Sequence, residues 1–220
     1  MKRGAIFDID GVLIENSEEI DYLSWKALIK SGFGKPKIRE ISKREFFSRL
    51  PGRGFEETAK FFYPGVSDGG ELEEIFAKKT EFFMKLSRKL KKPAGILRTI
   101  SALERKGVVL GIASSAREYK LSILEKLYGR GFLGKFSSVL TAKSVPRKKP
   151  FPDIFLKCAK EMEVLPENCM VFEDSLSGIE AGKLAGMRVF AITTSHPRSE
   201  LSGKADCVFS SFSRLDPKKL

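Results

Sequence analysis

The segment Gly4-Ala5-Ile6-Phe7-Asp8-Ile9-Asp10-Gly11 is the most informative part of the chain, because it places two carboxylates directly after a strand-like apolar run. On an extended chain, side chains two residues apart point to the same side, so Asp8 and Asp10 face the same way. Like charges this close repel each other, and the pKa of one carboxyl group rises unless a cation lies between them. The pair becomes useful if one Asp is a nucleophile, the other is an acid/base and Mg²⁺ offsets their charge.

From Pro93 onward the chain alternates between apolar, strand-like runs and amphipathic, helical ones. This alternation predicts an α/β fold, a Rossmann-like parallel sheet covered by helices on both faces. The expected strands are 4–7, 108–113, 138–140, 169–172, 189–192 and 207–209, and the expected helices are 96–106, 120–128, 152–162 and 175–185.

Residues 15–92, between the first strand and this alternation, carry amphipathic patterns without a strand pattern. Clusters of Gly and Pro interrupt them and separate four expected helices. We therefore predict an all-helical domain over 15–92, inserted into a Rossmann-like core made of 1–14 and 93–220.

The chain is basic, with 40 Lys and Arg residues against 28 Asp and Glu residues and a formal net charge of +12. Such a charge attracts anions, including phosphorylated metabolites and nucleic acid. The basic residues are dispersed, without the interleaved aromatic residues of a single-strand binder. Nucleic-acid binding is therefore the minority interpretation.

Location and redox state are also indicated by composition. No apolar run approaches the roughly 18 residues of a membrane span, and the first residues lack the apolar region of a signal peptide, so we expect a cytoplasmic protein that does not bind membranes. Cys158, Cys169 and Cys207 form no Cys-x-x-Cys pair, which predicts reduced thiols rather than disulfides or a zinc site. Gln is absent and Asn occurs only at Asn16 and Asn168, which is typical of a thermophile.

Polar residues follow four of the expected strands. In an open parallel sheet, residues after the strands gather at one edge, where ligands bind. Taken singly, several of these residues also suit structural roles, such as helix capping or a solvated charge. Their joint order favours one site, made of Asp8 and Asp10 after the first strand, Ser114 after the second, Lys149 in the loop after the third, and Glu173 and Asp174 after the fourth.

These four motifs, in this order and across the whole chain, resemble those of the haloacid dehalogenase superfamily, in the subfamily of β-phosphoglucomutase and phosphoglycolate phosphatase. The resemblance implies that Asp8 attacks phosphorus and becomes an aspartyl phosphate, while Asp10 acts as the acid/base. It also implies Mg²⁺ bound by Asp8, by the backbone carbonyl of Asp10 and by Asp174, with Glu173 as a direct or water-mediated ligand. The implied phosphate-binding residues are Gly11, Ser114, Ser115 and Lys149.

The inserted helical domain resembles the cap of that family. The mutase has a His one helical turn before the Trp of its first cap helix, whereas this chain has Asp21 before Trp25. The mutase's cap Arg falls at Phe55, with Arg53 nearby as the best candidate for a substrate contact.

These departures favour a Mg²⁺-dependent phosphatase that acts on a small phosphorylated metabolite, as a monomer or homodimer. A β-phosphoglucomutase-like phosphomutase is the alternative. A non-catalytic, basic nucleic-acid-binding protein is a third hypothesis, motivated by the charge of +12.

Overall fold

The computed structural model describes residues 1–37, 40–50, 55–67 and 69–216. The chain divides into two compact units, one made of Met1–Glu15 and Lys91–Leu220 and the other of Asn16–Leu90. The second unit begins one residue later and ends two residues earlier than the helical domain expected from the sequence. None of the helices in the described part of the chain combines the length and the apolar composition needed to cross a membrane.

A six-stranded parallel sheet forms the centre of the first unit, in the order β3-β2-β1-β4-β5-β6. The strands are β1 (Gly4–Phe7), β2 (Val109–Ala113), β3 (Ser138–Leu140), β4 (Cys169–Glu173), β5 (Arg188–Ile192) and β6 (Cys207–Phe209). Phe7 at the end of β1 lies beside Ile112 of β2 and Phe172 of β4. This register brings the carboxyl ends of the three central strands to one edge.

Helices lie between the strands of this unit along the chain. They are α5 (Ile96–Arg105), α6 (Tyr119–Tyr128), α7 (Asp153–Glu161), α8 (Leu176–Leu184) and the short α9 (Arg198–Leu201). The first four of them and all six strands begin and end within one residue of the bounds expected from the sequence.

Apolar side chains pack on both faces of the sheet. Ile6 and Val171 belong to one buried cluster with Phe155 of α7. Phe7, the neighbour of Ile6, points to the opposite face. There its ring stacks on Phe172, with 4.7 Å between the ring centroids. A parallel sheet is typically buried on both faces, as this one is. The predicted Rossmann-like α/β fold is confirmed.

The second unit, Asn16–Leu90, is helical in its described part. Its helices are α1 (Ser17–Lys30), α2 (Lys43–Arg49), α3 (Phe55–Phe62) and α4 (Gly70–Leu86). The hydroxyl of Ser42 caps α2 by accepting a hydrogen bond from the backbone N–H of Glu45 (3.1 Å). The unit has its own apolar core, in which Trp25 lies 5.6 Å from Phe55 and 5.1 Å from Phe62 between ring centroids.

Candidate active site

The ammonium group of Lys149 links the carboxyl ends of β1, β2 and β4. Its Nζ donates to Oδ1 of Asp8 (2.6 Å), to Oε1 of Glu173 (2.7 Å) and to the carbonyl oxygen of Ala113 at the end of β2 (3.1 Å). These bonds use all three protons of the ammonium group. The side chains of Lys149, Asp8 and Glu173 are 4%, 9% and 1% exposed, and charges this deeply buried require partners.

The buried environment changes the proton affinity of this group of residues. Burial raises the pKa of Asp8 to about 7; Lys149 opposes this rise, while the charges of Glu173 and Asp10 add to it. Burial alone would lower the pKa of Lys149, but the neighbouring charges of Asp8 and Glu173 outweigh burial and hold that pKa above its usual value. Lys149 therefore remains a cation. The raised pKa of Asp8 means that Lys149 alone does not offset the burial of the Asp8 charge, so a further cation would stabilise the ionised form.

Glu173, the last residue of β4, is fixed by hydrogen bonds to both of its oxygens. Oε1 accepts from Lys149, and Oε2 accepts from the backbone N–H groups of Asp174 and Ser175 (both 2.8 Å) and from the Ser175 hydroxyl (2.9 Å). A Cβ atom at Gly178 would lie 1.8 Å from Oε1, so α8 can approach this closely only with glycine there. These bonds let Glu173 position Lys149, and its direct or water-mediated binding of Mg²⁺ stays a prediction.

Asp174 lies at the same edge and is held by the loop after β5. The side chain of Asp174 accepts a hydrogen bond from the Ser195 hydroxyl, and the Thr194 hydroxyl donates to the carbonyl oxygen of Gly11 (2.8 Å). Gly11 has a φ of +73°, and a Cβ there would lie 1.7 Å from Oδ2 of Asp174. Glycine thus allows the first loop and Asp174 to approach each other closely.

Sequence reasoning missed the contributions of Thr194 and Ser195. The signal was available, because Thr193-Thr194-Ser195 directly follows the fifth strand, β5, which ends at Ile192. Polar residues after the first four strands were assigned to the site, and the same reasoning applied to the fifth strand would have identified Thr194 and Ser195.

Asp10 contacts a residue that the sequence did not single out. Its Oδ1 accepts a hydrogen bond from Nζ of Lys120, in the first turn of α6 (2.7 Å). The Lys120 side chain is 5% exposed and that of Asp10 is 36% exposed. The carboxyl group that is expected to move protons is therefore more open to solvent than Asp8.

The two serines after β2 differ in exposure. Ser114 is buried, its backbone N–H donates to the carbonyl oxygen of Leu140 (3.1 Å), and its hydroxyl accepts from the backbone N–H of Ala116 (3.2 Å). Ser115 is exposed. Ser114 directly follows Ala113, whose carbonyl binds Lys149, so the turn lies at this edge of the sheet. Arg53, the expected substrate contact, lies outside the described residues.

The acidic residues suit Mg²⁺ in kind and in number. Among the residues that the structure describes, no three His, Cys, Asp or Glu side chains form a ready-made metal cluster. Mg²⁺ does not require one, because it usually takes one or two protein carboxylates and completes its shell with water and substrate phosphate. Asp8, whose burial disfavours its charge, and the buried Asp174 supply two carboxylates, and the backbone carbonyl of Asp10 supplies a third oxygen. This donor set fits Mg²⁺.

A sequence model of the family described as haloacid dehalogenase-like hydrolase matches residues 5–192. The chain belongs to this family. The family expected from the four motifs is thereby confirmed for this haloacid dehalogenase-like hydrolase.

Several known proteins are similar to this hydrolase. The bifunctional riboflavin kinase/FMN phosphatase of Arabidopsis thaliana is 30% identical over 94% of this chain, which spans 52% of that longer relative. The β-phosphoglucomutase of Bacillus subtilis is 29% identical over 89% of this chain and 85% of its own length. The crystal structure of CbbY from Rhodobacter sphaeroides in complex with phosphate has a TM-score of 0.83 and 27% identity, and the match covers 98% of this chain and 96% of that one.

Proposed function

We propose that this hydrolase is a Mg²⁺-dependent phosphatase that acts on a small phosphorylated metabolite through an aspartyl phosphate on Asp8. The observation that carries the proposal is the buried cluster in which Lys149 binds both Asp8 and Glu173 (2.6 and 2.7 Å). A carboxylate nucleophile beside a fixed cation suits an attack on phosphorus, because the transferring phosphoryl group bears negative charge that the cation stabilises.

The proposed reaction has two displacements. In the first, a carboxylate oxygen of Asp8 forms a bond to phosphorus, the ester P–O bond breaks, and Asp10 gives its proton to the leaving oxygen. In the second, water attacks the phosphorus of the aspartyl phosphate, Asp10 takes the proton from that water, and inorganic phosphate leaves. Asp8 returns to its starting state, and so does Asp10.

Other residues of the site would act on charge and position. Mg²⁺ held by Asp8, by Asp174 and by the backbone carbonyl of Asp10 would neutralise charge on the phosphoryl oxygens. Ser195 holds Asp174, and Glu173 holds Lys149, so both groups are positioned before the substrate arrives. Ser114, Ser115 and Gly11 are the further groups that we assign to the phosphate.

We assign the helical unit Asn16–Leu90 as the cap that selects the substrate, with Arg53 as its substrate contact. A panel of phosphorylated sugars, glycolytic acids and nucleotides tests this assignment, through comparison of kcat/KM for phosphate release. Arg53→Met should lower kcat/KM for the preferred metabolite more than for a generic aryl phosphate. An equal effect on both would count against a substrate contact.

Asp8→Asn is the direct test of the nucleophile. This variant should release phosphate from an aryl phosphate only at the background rate in the presence of Mg²⁺, while its circular dichroism spectrum stays that of the wild type. The wild type, quenched in acid during turnover, should carry one phosphoryl group, and the variant should carry none by mass spectrometry. Asp206→Asn is the matched control, because Asp206 is also an aspartate paired with a lysine (Lys183, 2.8 Å) and lies in the same unit as Asp8, the one that contains the sheet. Undiminished turnover by Asp8→Asn would end the proposal.

A phosphomutase is the second candidate, supported by the similarity to the β-phosphoglucomutase of Bacillus subtilis. Within the helical unit, Asp21 stands where the mutase is expected to have a His, and it is paired with the buried Lys79. That pair favours hydrolysis, because a carboxylate held by a lysine does not replace an imidazole. Incubation with β-glucose 1-phosphate and its bisphosphate should yield inorganic phosphate from a phosphatase and glucose 6-phosphate from a mutase.

The nucleic-acid hypothesis has a separate test. A basic binding protein without catalysis would show an affinity for nucleic acid that falls steeply with salt, and no phosphate release under any divalent metal. Phosphate release in the substrate panel would exclude that non-catalytic role.

A further inference from the structure

Lys120 is a buried lysine in an unfavourable place. Lys120 is 4% exposed and is the second residue of α6. Lysine is rarely buried without a partner, and the first turn of a helix carries a partial positive charge that disfavours a cation. Two separate costs therefore oppose its charge, and a compensating interaction has to offset them.

One compensating interaction is the ion pair with Asp10. Nζ of Lys120 lies 2.7 Å from Oδ1 of Asp10, although the two residues are 110 positions apart in the chain. Both belong to the unit that contains the sheet, and the pair joins the loop after β1 to the helix after β2. This bond therefore ties the side chain of Asp10 to a fixed element of the core.

The hydrogen bond from Lys120 to Oδ1 determines where Oδ2, the other carboxyl oxygen of Asp10, points. The torsion that turns an Asp carboxyl group is broad, so the group rotates easily unless a partner holds it. Once Oδ1 is bound to Lys120, the plane of the carboxyl group is set and the direction of Oδ2 follows from it. General acid catalysis depends on this direction, because the acid must lie within hydrogen-bond reach of the atom that it protonates.

We propose that Lys120 is the positioning residue of the acid/base Asp10, holding its carboxyl group in the orientation that delivers a proton to the leaving oxygen. This inference rests on the proposed phosphatase function. It assigns to Lys120 a role through Asp10 and no contact with the phosphoryl group, in contrast to Lys149.

The dependence on the leaving group separates this role from a merely structural one. An alkoxide is a poor leaving group and requires a proton as it departs, whereas 4-nitrophenolate departs without one. The ratio kcat/KM covers the steps up to transfer of the phosphoryl group to Asp8, so it excludes the later attack of water. Lys120→Met should lower kcat/KM for glycerol 2-phosphate by about 10- to 100-fold, in the range of a misplaced catalytic group. Its kcat/KM for 4-nitrophenyl phosphate should stay within about threefold of the wild type, because a leaving group of this kind does not draw on general acid catalysis.

Three further variants complete the experiment. Lys120→Arg keeps a cation and should recover most of the activity on glycerol 2-phosphate. Asp10→Asn should show the same selective loss, and adding Lys120→Met to it should cause little further loss, because both changes remove one function. Lys183→Met, which removes another lysine paired with an aspartate, should leave both substrates unaffected. Lys120→Gln replaces Lys120→Met if the Met variant does not fold by circular dichroism.

The outcomes distinguish the two proposals. Equal losses on both esters in the Lys120 variants, no loss on either, or a full additional loss on top of Asp10→Asn would overturn the role of Lys120 while leaving the phosphatase in place. Retained activity in Asp8→Asn, or no phosphate release by the wild type from either ester, would overturn the phosphatase and the role of Lys120 with it.

Discussion

Gly178 lies against Glu173 so closely that an added Cβ atom would be 1.8 Å from the carboxylate oxygen that binds Lys149. The start of α8 and the position of Lys149 are therefore linked through one carboxylate. A methyl group at position 178 has to displace either the helix or Glu173.

Gly178→Ala should reduce both stability and activity. Overpacking of this kind costs about 1–3 kcal/mol, and any shift of Glu173 moves Lys149 away from Asp8. Urea unfolding measures the first effect and kcat/KM measures the second. Gly134→Ala is the matched control, because a Cβ there would meet nothing within 4 Å, and it should change stability by no more than about 0.5 kcal/mol. Equal behaviour of the two variants would contradict the link.

Lys149→Met should abolish phosphate release and destabilise the fold by about 3–5 kcal/mol, because it leaves Asp8 and Glu173 as buried carboxylates without their cation. Both groups are less than a tenth exposed, so water cannot substitute for the lysine. The exposed neighbour Lys148 provides the control Lys148→Met, which should unfold at the same urea concentration as the wild type. A fully stable Lys149→Met variant would mean that the cluster does not depend on this charge.

Ser195→Ala should weaken Mg²⁺ binding by about 10- to 100-fold, since it removes the hydroxyl that orients Asp174, the proposed ligand. The Mg²⁺ concentration that gives half of the maximal rate should rise, and titration calorimetry on the free enzyme should show the same change. Ser202→Ala, at an exposed serine, should leave both values unchanged. An unaltered Mg²⁺ requirement in Ser195→Ala would argue against Asp174 as a ligand.

Asp206 should contribute stability that depends on pH. Burial alone would raise the pKa of Asp206, but the hydrogen bond from Lys183, the bond from the backbone N–H of Val189 and the nearby cations hold it below its ordinary value of 3.8. A carboxyl group with a lowered pKa in the folded state stabilises the fold above its unfolded pKa, and this contribution is lost as the pH falls through the folded pKa.

Asp206→Asn should therefore be less stable than the wild type at pH 7, by no more than about 1 kcal/mol because the pair is partly exposed. The difference should shrink on acidification below the ordinary carboxyl pKa. Urea unfolding from pH 7 down to pH 3 measures this, and a difference that grows with acid would reverse the assigned sign.

The three cysteines should differ in reactivity. Burial raises the pKa of the Cys158 thiol to about 12 and that of Cys169 to about 11, whereas Cys207 is half-buried. Because the thiolate is the reactive form, a thiol reagent at pH 8 should label Cys207 first in the folded protein and all three in urea. Comparable labelling rates for the three native thiols would contradict this.

The sheet could be read from the sequence because each strand is a short apolar run with polar residues at its end, as in Gly4–Phe7 before Asp8. The strand ends then predicted which polar residues gather. The helix α9, Arg198–Leu201, was not predicted, since four residues are too few to show a helical period.

Other contacts in the site depend on where a long side chain ends in the folded protein, which the pattern of residues along the chain does not show. Lys120 is one of 40 basic residues, and the chain alone does not show that its side chain ends at Asp10. The same holds for Glu173, because the sequence does not show that its side chain contacts Lys149 and Ser175. Burial and hydrogen-bond direction, which are properties of the folded chain, separate these roles.

The central position of β1 also determines when the site can form during protein synthesis. Asp8 leaves the ribosome well before its partner Lys149, which is 141 residues further along the chain, and β4, which flanks β1, is made later still. The helical residues made after Asp8 can pack locally before β1 has a strand to pair with, because contacts distant in sequence form slowly and domains fold as units. β2 then pairs with one edge of β1 and leaves the other edge open until β4 is made. A nascent chain released before β4 is made would therefore expose one unpaired edge of the apolar strand β1, making such fragments targets for chaperones and proteases rather than partial enzymes.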